Sequence, residues 1–204
     1  MKLYTSIGPN PRVVNMFLAE KGLQLDRVEI DLRGGENRRE PYLSVNPAGQ
    51  SPALELDDGT CVTEITAICE LLEEKHPNPP LIGTTAEERA ATRMWTRRAD
   101  LKVAEPMANG FRFAEGLPMF ESRLRCLPEA APGLKAVAQD GVAWIDANMK
   151  GPWLAGERFT LADILLFCFL DFGGMVGQPL DPKFGRVGEW FARVKARPSA
   201  AASA

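Results

Sequence analysis

Residues Asn46–Gly59 read NPAGQSPALELDDG, and they are the most informative residues about the fold of the first part of the chain. Two short apolar runs flank Asp58 and Gly59, a residue pair that accepts the positive φ angles of a tight turn. The stretch therefore predicts a β-hairpin. A helical pattern starts directly after it, at Thr63, with an acidic first turn and apolar residues along one face.

Upstream of the hairpin, strand and helix patterns alternate. The run KLYTS from Lys2 predicts a first strand, which the punctuation GPNP closes. A helix follows, for which Asn10 suits the N-cap, Pro11 the first helical position and Gly22 the position after the last turn. The run RVEID predicts a second strand, and a short irregular helix separates it from the hairpin. The predicted order is β-α-β-α-β-β-α.

A proline-rich segment divides the chain. The sequence KHPNPPLIG carries three prolines and an asparagine, which cannot continue a helix. We therefore predict a first domain at 1–76, a linker at 77–83 and an all-helical domain at 84–204.

The second domain shows helical patterns and no convincing strand. A capping box at Thr85 predicts a long helix that reaches about Glu115. Thr160 and Asp163 form a second capping box before an almost wholly apolar helix, which must lie in the core. A last helix is predicted over about 182–196, and the closing sequence RPSAAASA predicts a frayed tail.

Composition excludes several classes of function. A net charge of −3 without a basic block argues against nucleic-acid binding, and no apolar stretch is long enough for a membrane span. The four cysteines are scattered, which favours a reducing cytoplasm over a disulfide framework. His76 is the only histidine, so we expect neither a multi-histidine metal site nor histidine-activated serine or cysteine chemistry.

Four motifs in this chain, in this order, resemble the cytosolic glutathione transferase family: LAEKGL at Leu18–Leu23, the stretch Asn46–Gly59, TEITAICELLEE from Thr63, and WLAGERFTLADI at Trp153–Ile164. The resemblance covers nearly the whole chain. It implies an α/β thioredoxin-like N-terminal domain followed by an all-α C-terminal domain, and a cytoplasmic homodimer. It also implies an active site between the domains, with glutathione on the first domain and an apolar electrophile against the second.

The resemblance assigns part of a glutathione site to the hairpin. Pro52 matches the family's cis-proline, which lets the preceding residue, Ser51, present its backbone N–H and C=O to the tripeptide as a neighbouring strand would. The alternative interpretation is that Pro52 merely starts an edge strand. Gln50 matches a position near the glycyl carboxylate, and an exposed loop amide is the alternative interpretation.

The helix after the hairpin carries the remaining binding residues that the resemblance implies. Glu64 matches the acidic residue that meets the γ-glutamyl amine, although a carboxylate there also complements the helix dipole. The family usually has serine next, where this chain has Ile65, so one hydrogen bond to the γ-glutamyl carboxylate is missing. Thr66 carries the nearest hydroxyl. We therefore expect weakened or rearranged glutathione binding.

The catalytic position also departs from the family. A serine commonly precedes Pro-Asn there, but this chain has Gly8. Asn10 aligns with an amide that some bacterial classes place near the glutathione sulfur, and helix capping is its alternative role. Ser6 is the nearest hydroxyl, two residues earlier. No cysteine lies at this position, so a cysteine-based mechanism is not supported.

The leading prediction is a glutathione transferase of detoxification type. It would stabilise the glutathione thiolate, without a metal, to attack an apolar electrophile or to reduce a peroxide or disulfide. Candidate residues on the electrophile side are Met94, Arg97, Arg98, Met107, Phe111 and Phe113. The alternative is a non-catalytic binding or scaffold protein of the same fold, for which Gly8 and Ile65 argue. A thioredoxin-type dithiol enzyme is disfavoured because GPNP stands where two cysteines would be needed.

Overall fold

The computed structural model describes every residue from Met1 to Ala204, and the chain divides into two compact units. The first unit comprises Met1–Leu81 together with Pro198–Ala204, and the second comprises Ile82–Arg197. The point of division falls inside the segment predicted as a linker.

The first unit has the predicted order of strands and helices. Its elements are β1 (Lys2–Thr5), α1 (Pro9–Lys21), β2 (Asp26–Glu29), a 3₁₀ turn at Glu36–Arg38, α2 (Tyr42–Val45), β3 (Ala53–Glu55), β4 (Cys61–Thr63) and α3 (Ile65–Lys75). The four strands form one sheet in the order β2-β1-β3-β4. β1 is parallel to β2 and antiparallel to β3, and β3 is antiparallel to β4.

Local turn signals in the first unit are confirmed. Gly59 has φ 85° in the hairpin turn, where the N–H of Leu56 donates to the C=O of Thr60 at 2.8 Å. Gly22 adopts the left-handed conformation after α1, at φ 64° and ψ 23°. Both positions thus use the positive φ that glycine adopts without steric cost.

The predicted cap of α1 is wrong. The helix begins at Pro9, and its N-cap is Gly8, at φ 118°, with no side-chain capping bond. Pro9 is already suited to the first helical position because its φ is fixed and it has no N–H to satisfy. The helix therefore starts before Asn10, which becomes its second residue.

A buried ion pair between α1 and α3 also fixes the proline-rich segment that follows α3. Lys21 at the end of α1 places Nζ 2.6 Å from Oε2 of Glu73 on α3, and the lysine side chain is fully covered. The same Nζ donates to the carbonyls of His76 and Pro79, each at 2.7 Å. The backbone N–H of Leu81 donates to Glu73 at 3.2 Å. The proline-rich segment after α3 is thus fixed by charge-assisted hydrogen bonds.

The end of the chain is not the frayed tail that was predicted. Pro198–Ala202 forms helix α10, which belongs to the first unit and packs on α1. Arg12 donates to the backbone carbonyl of Ala200 at 3.3 Å, and the hydroxyl of Ser199 donates to Glu20. These partners lie more than 170 positions apart in the sequence, so no local pattern could reveal the docking.

The second unit is helical. Its elements are α4 (Ala86–Ala99), a π-helical segment at Asp100–Ala104, α5 (Glu105–Arg112), α6 (Leu117–Phe120), a 3₁₀ turn at Pro128–Ala130, α7 (Ala131–Asn148), α8 (Leu161–Met175) and α9 (Gly185–Lys195). The long helix predicted from Thr85 is therefore interrupted by a π segment and ends at Arg112. No helix combines the length and apolar character that a membrane crossing needs.

The capping box before α8 is confirmed, and it is part of a larger buried network. Asp163 accepts from the N–H and hydroxyl of Thr160 at 2.9 and 3.1 Å. It also accepts from the N–H of Leu154 at 2.9 Å and from the indole of Trp190 at 2.8 Å. Burial raises the pKa of Asp163 to about 6, although these four donors favour the charged form.

Candidate functional site

The predicted site residues gather at one edge of the sheet. The register pairs Tyr4 with Ala53, and Ala53 with Thr63, so the chain just after β1 and β4 lies beside the chain just before β3. Neighbouring strands are about 4.8 Å apart, which puts the ends of β1 and β4 about 10 Å from each other. The edge thus holds Ser6, Ser51, Pro52, Glu64 and the first residues of α1 and α3.

The backbone before β3 is shaped to receive an extended peptide. The Ser51–Pro52 bond is cis, as the family resemblance implied. The carbonyl of Gln50 accepts from the hydroxyl of Tyr42 at 2.6 Å and from Nδ2 of Asn46 at 2.7 Å. The backbone N–H and C=O of Ser51 have no hydrogen-bond partner within the chain, so they are available to a ligand strand.

Tyr42 and Asn46 are positioning residues that the sequence interpretation missed. They anchor Gln50 from one side, and the exposed side chain of Gln50 makes no hydrogen bond of its own. Asn46 stood within the quoted motif, but nothing distinguished Tyr42 from an ordinary core aromatic. The structure reveals its role because its hydroxyl reaches a carbonyl eight residues away.

Glu64 has the only positive φ among the non-glycine residues, at φ 69° and ψ 123°. Such a conformation costs about 1–3 kcal/mol and persists where the surroundings impose it, commonly at ligand sites. The Glu64 side chain is exposed and has no capping bond, ion pair or other hydrogen bond. Its carboxylate is therefore free at the edge of the sheet.

The start of α3 leaves backbone N–H groups without an acceptor, an arrangement that favours anions. The first intrahelical bond runs from Ile68 to the carbonyl of Glu64, so the N–H groups of the three residues between them have no acceptor in the helix. They point outward at the positive end of the helix dipole. Ile65 is half-buried and provides no polar group, and the half-buried hydroxyl of Thr66 has no partner.

The start of α1 offers few donors. Pro9 and Pro11 have no N–H, so Asn10 carries the one free backbone N–H among the first three residues of the helix. The Asn10 side chain is half-exposed and, because it does not cap the helix, it makes no hydrogen bond within the chain. Asn10 therefore presents both a backbone and a side-chain donor.

The other hydroxyl candidates near this edge are committed elsewhere. Ser6 is 7% exposed and donates to the carbonyl of Ile7 at 3.3 Å. Tyr4 donates to Glu55 at 2.6 Å, and that hydrogen bond, with burial, raises its pKa to about 12. Burial likewise raises the pKa of Tyr42 to about 12. Both hydroxyls already donate a hydrogen bond, Tyr4 to Glu55 and Tyr42 to the carbonyl of Gln50, so Asn10 is the better-placed donor.

The electrophile-side candidates lie in the second unit and divide by burial. Met107 is fully covered and serves the core. Met94 is 42% exposed on α4.

The guanidinium of Arg98 stacks between two rings, with Cζ 5.1 Å from Trp95 and 5.2 Å from Trp144. Arg97 pairs with Asp100 at 3.2 Å. Phe111 and Phe113 are half-buried.

Comparison with known proteins agrees with this arrangement. Residues 7–75 match the family described as "Glutathione S-transferase, N-terminal domain", and residues 129–198 match "Glutathione S-transferase, C-terminal domain". Glutathione S-transferase 2 of Saccharomyces cerevisiae is 32% identical over 200 residues, which is 96% of this chain and 85% of the yeast protein. The chain belongs to the glutathione transferase family.

Two further matches support the family assignment. Maleylacetoacetate isomerase of Pseudomonas aeruginosa is 40% identical over 202 residues, covering 93% of this chain and 90% of that protein. The crystal structure of Gtt2 from Saccharomyces cerevisiae superposes with a TM-score of 0.92 at 31% identity, with both chains fully covered. The predicted thioredoxin-like domain and helical domain of a glutathione transferase are thus confirmed. The relatives support glutathione transferase function and give a scaffold role no better support.

Proposed function

We propose that this glutathione transferase activates the glutathione thiol with Asn10 and transfers the sulfur to an apolar electrophile, or uses it to reduce a peroxide or disulfide. One observation supports this assignment above the others: the Asn10 amide is free at the start of α1, because Gly8 and Pro9 begin the helix without it. A donor at a helix N-terminus stabilises a thiolate over a thiol.

Binding would depend on backbone groups of the first unit. The free N–H and C=O of Ser51 would pair with the extended tripeptide. The open N–H groups at the start of α3 would hold the γ-glutamyl carboxylate, and the exposed Glu64 would meet the adjacent amine. Gln50 lies beside Ser51 and would reach the glycyl carboxylate. Without a serine hydroxyl at Ile65, we expect binding weaker by about one to two orders of magnitude.

The thiol proton would leave to water. His76, the only imidazole of the chain, follows the far end of α3, which is 11 residues or about 16 Å long. No histidine of this chain would therefore reach the thiol of bound glutathione as a base. Formation of the thiolate would depend on hydrogen bonding to the sulfur. The sulfur would then form the new bond to the electrophilic carbon as the leaving group departs with its electron pair. Family membership supports a cytoplasmic homodimer with a detoxifying role.

An Asn10→Ala variant tests the proposal. The lost hydrogen bond to a charged sulfur is worth about 1.5–3 kcal/mol, so kcat/KM for a chloronitrobenzene should fall about 10- to 100-fold. The pKa of bound glutathione, followed by thiolate absorbance, should rise by about one or two units. The melting temperature should change little because the side chain of Asn10 makes no hydrogen bond within the chain.

Asn15→Ala is the matched control. Asn15 lies on the same helix and donates to the hydroxyl of Thr5 at 3.3 Å, so its loss should cost about 1 kcal/mol of stability and leave the thiol pKa unchanged. Equal thiol pKa values in Asn10→Ala and the parent would refute the catalytic assignment. Absence of glutathione binding and turnover in the parent itself would refute the proposed function.

A further inference from the structure

A basic cavity lies in the second unit, whereas the residues proposed to bind glutathione belong to the first unit. Its volume is about 460 Å³, and it is lined by residues 149–152, which follow α7, and by one face of α9. Volumes of this order are typical of small-molecule sites. The proposed transferase mechanism uses none of the residues that line this cavity.

The cavity has a charge opposite to that of the chain. Three of its lining residues are cationic, Lys150, Arg186 and Arg193, and one is acidic, Glu189, although the whole chain carries −3. None of the three cations forms an ion pair. Positions 186, 189 and 193 follow the i, i+3, i+7 spacing of one helical face, so α9 presents its charges to the cavity together.

Hydrogen bonds orient both guanidinium groups without exhausting them. Arg193 donates from Nη1 to the carbonyl of Pro152 at 2.6 Å, and its Cζ lies 5.5 Å from the ring of Trp153. Arg186 donates from Nη1 to the carbonyl of Met149 at 3.4 Å. A guanidinium has five N–H donors in a fixed fork, so most donors of each arginine remain available.

The loop opposite α9 is held in place by a close backbone contact. A Cβ atom on Gly151 would lie 2.6 Å from the carbonyl oxygen of Gly156, so only glycine fits at this position. Gly151 therefore leaves the cavity wall without a side chain. Met149, which is 4% exposed, contributes an apolar side chain to the lining.

We propose that this cavity is a second binding site, specific for a small organic phosphate. Two guanidinium groups held by backbone carbonyls, together with the Lys150 ammonium, offer the positive charge and the N–H donors that a phosphate monoester binds. The volume leaves space for an organic group beside the phosphate. The site is separate from glutathione binding, so it neither requires nor tests the proposed transferase activity.

Isothermal titration of the full chain with adenosine 5′-monophosphate, and with adenosine as the uncharged comparison, tests the proposal. The nucleotide should bind with saturation and adenosine should not. Lys150→Gln should weaken nucleotide binding about tenfold, and Arg193→Gln by at least as much, since each removes a charge-assisted contact. Lys195→Gln is the matched control, because Lys195 lies on α9 outside the cavity lining. The affinity of this variant for the nucleotide should stay within about twofold of that of the parent.

Lys150→Gln keeps the test decisive even if Arg193→Gln unfolds. The exposed Lys150 makes no hydrogen bond or ion pair, so its replacement should leave the melting temperature and glutathione turnover unchanged. Equal affinity for the nucleotide and adenosine would overturn the proposal. So would equal nucleotide affinity in Lys150→Gln and the parent, or no saturable binding up to about 10 mM.

Discussion

Replacing Lys21 with methionine should destabilise the protein more than any surface charge change. The lysine ammonium has three N–H donors, and the structure gives it three acceptors within 2.7 Å: Glu73 and the carbonyls of His76 and Pro79. Methionine fills a similar volume but leaves the carboxylate of Glu73, which is 5% exposed, buried without its partner charge. Breaking one side of a buried pair costs about 3–5 kcal/mol.

Urea unfolding followed by far-UV circular dichroism measures this cost. For a chain of this length the expected loss of about 4 kcal/mol lowers the melting temperature by roughly 8–16 °C. Lys2→Met is the matched control, since Lys2 pairs with Glu55 at 3.5 Å near the surface, and it should cost less than about 1 kcal/mol. The double variant Lys21→Met/Glu73→Leu should recover at least half of the loss, because no charge is then left unpaired. Equal destabilisation by Lys21→Met and Lys2→Met would show that burial of the Lys21–Glu73 pair adds nothing to its contribution to stability.

Three further predictions concern the glutathione site and the second unit. Ile65→Ser places a hydroxyl at the start of α3 and should tighten glutathione binding about tenfold, as measured by calorimetry. The control variant Ala67→Ser should leave the affinity unchanged. Equal affinity of the two variants would show that Ile65 does not weaken glutathione binding. Glu64→Gly removes the strain of φ 69° and should raise the free energy of unfolding by about 1 kcal/mol while weakening glutathione binding; a loss of stability would contradict it. Between its ordinary pKa of 3.8 and about 6, Asp163 binds its proton more tightly in the folded than in the unfolded chain, so its contribution to stability falls as pH rises through this window. The stability advantage of the parent over Asp163→Asn in urea should therefore be about 2 kcal/mol larger at pH 4.5 than at pH 7, and a pH-independent difference would count against the raised pKa.

Much of the first unit could be predicted from the sequence because its signals are local. The hairpin turn at Asp58 and Gly59 and the helix stop at Gly22 each depend on a few neighbouring residues, and both are found in the structure. In the second unit, the capping box joins Thr160 to Asp163, three positions apart, and is likewise confirmed. Family motifs added the positions of the site residues, whose roles in glutathione binding stay predictions.

Which polar groups are free and which are paired is visible only in the folded chain. The sequence allowed Asn10 to be a helix cap or a catalytic amide. Because α1 begins at Pro9, Asn10 does not cap the helix and its side-chain amide is available. Nothing in the LAEKGL motif distinguished Lys21 from a surface lysine, because the acceptors of its ammonium group lie more than 50 positions away in the sequence. The closing residues are docked by Arg12 and Glu20 through contacts that span most of the chain. Local sequence determines turns and caps because they close over a few bonds, whereas burial and long-range pairing exist only once distant segments have packed together.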